Sequence, residues 1–252
     1  MNRYLVAAKQ VLLGLVCTFV ALDTAGAVAI PTVAIGNPRN PADTWGMDDG
    51  TTGYGSVPYA FRMGLTEVNN AQYVEFLNKV ARSDDRYGLF NFDMARLPWG
   101  GIVRSGTQGN YLYAVKPPAA GEGPGGASYA YENKPVFKVD WFDAIRFANW
   151  LHNGQGEGGT ETGAYTLIGD APVPTNAGSI TRNAGAKWFL PTENEWYKAA
   201  YYDPGAERYY MYPTGTDAQP DNNLPAADSG NSVNYAYMGT RTTGNPLHPL
   251  TD

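Results

Sequence analysis

Glu193 and Glu195 are the first side chains in this sequence to consider for shared acid–base work. Two carboxylates act together only when both reach one substrate. At i and i+2 on a helix they point to different faces. Glu195 also has a partner three residues earlier in Thr192, so the pair is expected to start a helix. His152 and His248 are the only histidines and form no H-x-x-H pair. His152 falls at a helix end, where its cationic form would face the negative end of the dipole. Asp217, Asp221, Asn222 and Asn223 make an oxygen-rich loop of the kind calcium accepts, but they match no ligand-spacing template and read as solvated turns. Gly121-x-Gly123-x-x-Gly126 and Gly154-x-Gly156-x-x-Gly159 satisfy the dinucleotide spacing. That site also needs a strand before and a helix after, which neither has, so both read as loops. The single cysteine is Cys17. Everything after it lacks a thiol nucleophile, a thiolate metal site and a redox pair. No residue is assigned as catalytic, cofactor-binding or metal-ligating.

Cys17 sits in a segment that is itself informative. Arg3 and Lys9 precede an apolar run from Val11 to Leu22, and Ala25-Gly26-Ala27 and Ala27-Val28-Ala29 offer small-residue cleavage sites. This is the pattern of a secretory signal peptide over residues 1–29, with an apolar run too short to span a bilayer. The expected location is secreted or periplasmic. Losing Arg3, Lys9 and Asp23 with the leader takes the formal charge from −6 to −7. An exported domain without disulfides depends on its core for stability. At 43% hydrophobic residues the chain has material for one. The sequence carries no clustered basic patch, so no nucleic-acid partner is expected.

Three segments carry helical signals. Asn69 is placed to cap a helix over 70–81 with a face of Tyr73, Val74, Leu77, Val80 and Ala81. Asp140 caps a second over 141–152, with Trp141, Ala144, Ile145, Ala148 and Leu151 as its stripe. Pro191 ends the apolar run Trp188-Phe189-Leu190, and Thr192 with Glu195 forms a capping box for a third helix from about Glu193 to Tyr202. There Trp196, Ala199 and Ala200 share one face. Strand signals fall at Val33–Ile35, at Val57–Met63 and at Tyr165-Thr166-Leu167. Ile102–Arg104 and Tyr111–Val115 read as a hairpin. From residue 206 no period persists. With 13% aromatics, 30 glycines and 18 prolines, the pattern is α+β, loop-rich and held by large rings.

Three blocks occur in an order that resembles the formylglycine-generating enzyme family, the sulfatase-modifying factor domain. Met63–Leu77 is similar to its G-x-x-E-V-T-N-x-Q-Y-x-x-F segment, with Asn69-Asn70 where the family has Thr-Asn. Lys134–Ala144 is similar to P-V-x-x-V-s-W-x-D-A, and Lys187–Ala200 to LPTEAEWE. Phe189 stands where the family usually has Arg before Leu-Pro. The blocks cover most of residues 57–204. The resemblance implies a C-type lectin-like fold of irregular short strands, about three helices and long loops, in a domain over residues 30–252. It also implies later G-N-V-W-E-W and R-G-G-S-W blocks. Neither occurs before Asp252, so a C-terminally truncated member is expected.

Two functions follow from the resemblance. Formylglycine-generating members oxidise a sulfatase cysteine with oxygen and copper held by a cysteine pair from the C-terminal part of the domain. No residue here matches that pair. A relative of the ergothioneine sulfoxide synthase type holds iron with three histidines, more than the two present. The residues thus name no cofactor. The expectation is an exported binding or accessory module for an extracellular peptide, protein or glycan, with no membrane span in the mature part. The alternative is the oxidase, with its cysteines beyond residue 252.

Overall fold

Each expected helix begins on a side chain that closes its first turn. In the computed structural model, which describes residues 27–47, 49–121, 128–221 and 230–231, α1 (Asn70–Val80) starts at Asn69. The Asn69 side chain accepts from the Gln72 amide, and the Gln72 side chain accepts from the Asn69 amide. A short helix α2 (Asp93–Arg96) follows. Helix α3 (Trp141–His152) has the same reciprocal box between Asp140 and Asp143. Helix α4 (Glu193–Tyr201) has it between Thr192 and Glu195. Such boxes satisfy two of the amide donors that a helix start leaves open. Residues 1–26 of the expected leader, Cys17 included, lie outside the described residues, as do Gly123, Gly126, Asn222, Asn223 and His248.

The strands are short and pair in three antiparallel couples. Strand β1 (Thr32–Ile35) pairs with β2 (Phe61–Gly64), Val33 opposite Met63. Strands β3 (Ile102–Thr107) and β4 (Asn110–Val115) form the expected hairpin, with Ile102 opposite Val115. Strand β5 (Tyr202–Asp203) pairs with β6 (Arg208–Tyr209). The described chain is thus α+β with small antiparallel sheets. That last pair places one two-residue strand beyond residue 206, too short to give the sequence a persistent period there.

Three further expectations give way. Val57–Pro58 does not join β2; Val57 is buried, and its amide bonds the Asn40 side chain. Tyr165-Thr166-Leu167 is no strand. Its polar backbone is met by Asn149 of α3, whose side chain accepts from the Tyr165 amide and donates to the Tyr165 and Thr160 carbonyls. On α3, Ile145, Ala148 and Leu151 are buried as expected, but Trp141 is 44% exposed. The helix instead buries Arg146, Phe147, Asn149 and Trp150 as well. Arg146 can be buried because its guanidinium pairs with Glu161 at 2.7 Å, donates to the Ala171 and Pro172 carbonyls and stacks on Tyr87.

The main core forms where α1, α3 and the β3–β4 hairpin meet. Its centre is aromatic: Phe147 lies 5.9 Å from Tyr73, 5.3 Å from Phe76 and 5.6 Å from Trp150, ring centre to ring centre. A second cluster around Ile145, Tyr165 and Leu167 takes in Phe189 and Leu190. The run 187–190 that leads into α4 is not a strand but an irregular segment, and Phe189 and Leu190 pin it to the back of α3. Leu190 donates its amide to the Tyr165 hydroxyl at 2.9 Å.

Candidate functional site

Helix α4 separates two concave surfaces, and what fixes it is a knot at its first turn. Glu195 is 1% exposed. Its carboxylate accepts from the Thr192 amide at 2.7 Å, from the Tyr59 hydroxyl at 2.7 Å and from Arg182 at 3.1 and 3.3 Å. Burial pushes its pKa up, but the Thr192, Tyr59 and Arg182 donors outweigh that and hold it below the usual value. The Arg182 guanidinium lies 4.0 Å over the Phe189 ring. The ring at 189 therefore supports a cation delivered from elsewhere in the chain. Glu193, two residues before Glu195, is exposed on the other side. The two carboxylates do not converge.

The buried face of α4 is Glu195, Tyr197 and Lys198. The expected face of Trp196, Ala199 and Ala200 is not buried, and Trp196 is 52% exposed. Tertiary partners explain the rotation. The Lys198 ammonium donates to the Asn37 carbonyl at 2.9 Å, and the Tyr197 hydroxyl donates to Asp43 at 2.7 Å. The Asn194 side chain accepts from the Gly55 amide at 2.9 Å. These bonds draw the loop 41–56 against α4. A polar loop satisfies polar groups, so the apolar Trp196 is left facing out.

Between that loop and α4 lies an open cleft of about 400 Å³. Asp43, Trp45, Met47, Asp49, Thr51 and Tyr54 line one wall. Glu193, Trp196, Tyr197 and Tyr201 line the other, and Tyr209, Tyr210 and Met211 close the end. Tyr197 is the hub of the floor, 5.7 Å from Tyr54, 4.8 Å from Tyr201 and 5.6 Å from Tyr209. Burial first, then Asp43, raises the Tyr209 phenol to about 12 and the Tyr197 phenol further. Both stay neutral at physiological pH. Asp49 lies below the usual carboxylate value because the Thr51 hydroxyl and amide bond it. Trp45 and Met211 are 56% and 50% exposed at the rim. On the far side of the Glu195 knot, an apolar groove of about 550 Å³ runs between β2 and residues 187–191.

Sequence reasoning missed the cleft. Tyr197 and Tyr201, four apart on a helix beside an outward Trp196, were the available signal. Nothing in the sequence tied residues 43–54 to them. Among the described residues, the other candidates are brought to no common site. His152 Nδ1 accepts from the Lys187 amide at 3.0 Å, which ties the end of α3 to the run before α4. Asp217 accepts from Arg208 and from the Met211 amide. Among the described residues no three His, Cys, Asp or Glu side chains converge to hold a metal.

Compared with known families, residues 52–249 match the sulfatase-modifying factor enzyme 1-like domain. The chain belongs to this family. No curated protein and no solved structure matches it significantly. The sulfatase-modifying factor match includes α1, α3 and α4 but begins after Thr51. The wall of the cleft from Asp43 to Thr51 lies before the matched span. Copper, which the resemblance brings with the oxidase members, prefers soft thiolate donors. The sole cysteine is Cys17. The described residues do not fit such a site.

Proposed function

We propose that this sulfatase-modifying factor domain works as an exported binding or accessory module, presenting the cleft beside α4 to an extracellular peptide, protein or glycan. One observation carries the reading: Trp45, Trp196 and Met211, each at least half exposed, crowd the rim of a concave surface built on a rigid helix. Exposed large apolar side chains gathered round a cleft are the usual mark of a binding surface. The Glu195 knot fixes α4, so the aromatic wall is organised before a ligand arrives. The domain is taken as residues 30–252, in the C-type lectin-like arrangement of the family, after a leader over 1–29 that directs it to the periplasm or outside the cell. No helix among the described residues is long and apolar enough to cross a membrane.

The reading is tested by applying the purified chain to immobilised peptide and glycan panels, with Trp45→Ala and Trp196→Ala as controls. Saturable binding lost in both variants supports it. Binding that ignores both substitutions, or no binding to any panel member, refutes it. Fractionation and N-terminal sequencing of the exported product test the leader. A mature start near Val28 or Ile30 is expected, and a soluble product beginning at Met1 refutes export.

A further inference from the structure

We propose that the cleft beside α4 selects an organic cation, a quaternary or alkylated ammonium group on a small molecule. The inference rests on the binding-module reading and names the ligand class for that site. The first support is charge. Asp43, Asp49 and Glu193 line the cleft, and among the described residues no Lys, Arg or His lines it with them, although Arg208 outside the lining stacks on the Tyr210 ring at 4.3 Å. Asp43 is engaged by the Tyr197 hydroxyl and the Trp45 amide. Glu193 has no hydrogen bond or ion pair among the described residues, and one oxygen of Asp49 is likewise open. A site lined by one sign of charge between low-dielectric walls concentrates the opposite ion.

The second support is how the tyrosines spend their protons. Thr51 gives its hydroxyl proton to Asp49, so the 2.6 Å contact between Thr51 and Tyr54 must be donated by Tyr54. Tyr197 donates to Asp43, Tyr209 to the Pro41 carbonyl and Tyr210 to Asp203. Four phenols of the lining thus point their donors into the protein. What remains for a ligand is ring surface and carboxylate oxygen, with few free donors. A sugar or an anion needs donors from its site. A bulky ammonium needs none and is held by ring faces, Trp best of all, with carboxylates behind them. The carboxylates also do not converge into a metal-holding group among the described residues.

The test is tryptophan fluorescence titration of the full chain with choline, with tetramethylammonium and with 3,3-dimethylbutan-1-ol, the neutral isostere of choline. Both cations are expected to give saturable changes at millimolar concentration, and the alcohol to bind roughly tenfold more weakly. Trp196→Phe keeps a ring and should retain binding, whereas Trp196→Ala should lose roughly tenfold and Glu193→Gln several-fold. Both positions are exposed, so thermal melts of the variants should match the parent. Equal binding of the alcohol, or no saturation by either cation, overturns the cation proposal. If the cations fail while a panel peptide or glycan still binds in a Trp196-dependent way, the module reading stands without it. If nothing binds, both fall.

Discussion

Removing the Glu195 carboxylate should loosen α4 by an amount that its surroundings set. The side chain is 1% exposed and accepts from Thr192, Tyr59 and Arg182. Glu195→Ala breaks its half of the capping box and leaves Arg182 without its carboxylate. Losing one partner of a fully buried ion pair costs about 3–5 kcal/mol. Arg182 keeps 29% of its side chain exposed, so water recovers part of its hydration. The expected loss is therefore about 2–3 kcal/mol. For a chain of this size that lowers Tm by roughly 4–12 °C. Glu195→Gln keeps one acceptor for the Thr192 amide and should cost about 1–2 kcal/mol. A cycle with Arg182→Met should return a coupling of about 1 kcal/mol or more. The sign with pH follows from the lowered folded-state pKa of Glu195. Its contribution is present above the unfolded carboxylate value, about 4.3. It is lost as pH falls through the folded value, so parent and Glu195→Gln should converge in acid. The assay is urea unfolding followed by tryptophan fluorescence. A Glu195→Ala free energy within about 0.5 kcal/mol of the parent, at unchanged slope, would refute the reasoning.

Thr192→Ala should cost about 1 kcal/mol by urea unfolding, and an unmoved midpoint would show that the box does not hold α4. Gly100→Ala should destabilise by roughly 1–3 kcal/mol, because its new methyl meets the Met94 and Asp93 carbonyls, which are backbone and cannot step aside; a neutral Tm would contradict that packing. Burial chiefly raises Asp143 to about 7 and Asp85 to about 6, against the lowering pull of their amide donors and of Arg146 and Arg104. The folded chain then holds extra protons between roughly pH 4 and 7, so these groups favour folding in acid and lose that contribution as pH rises. Asp143→Asn should flatten the fall in stability across that window, and a difference from the parent that does not vary with pH would count against it. The 252-residue chain, given copper, oxygen and a sulfatase-type cysteine peptide, should form no aldehyde above a protein-free control by mass spectrometry, since it holds a single cysteine, Cys17, and no cysteine pair; turnover would overturn this.

The sequence by itself determined the family and the helix starts. Asn69, Asp140 and Thr192 each act on residues three positions away, so their geometry is local and legible in order along the chain. The face of α1 was legible too, because Tyr73, Val74 and Leu77 meet an apolar core. The face of α4 was not. Its apolar spacing pointed to Trp196, yet Glu195, Tyr197 and Lys198 are inside, each held by a group 13 to 161 residues away. Hydrogen bonds to Asn37, Asp43 and Arg182 outweigh a one-residue hydrophobic preference, and no local pattern records them. The cleft is a consequence of the same rotation. Only the tertiary structure brings the loop 43–54 to α4, because the polar groups buried beneath the helix needed partners that the nearby chain does not supply.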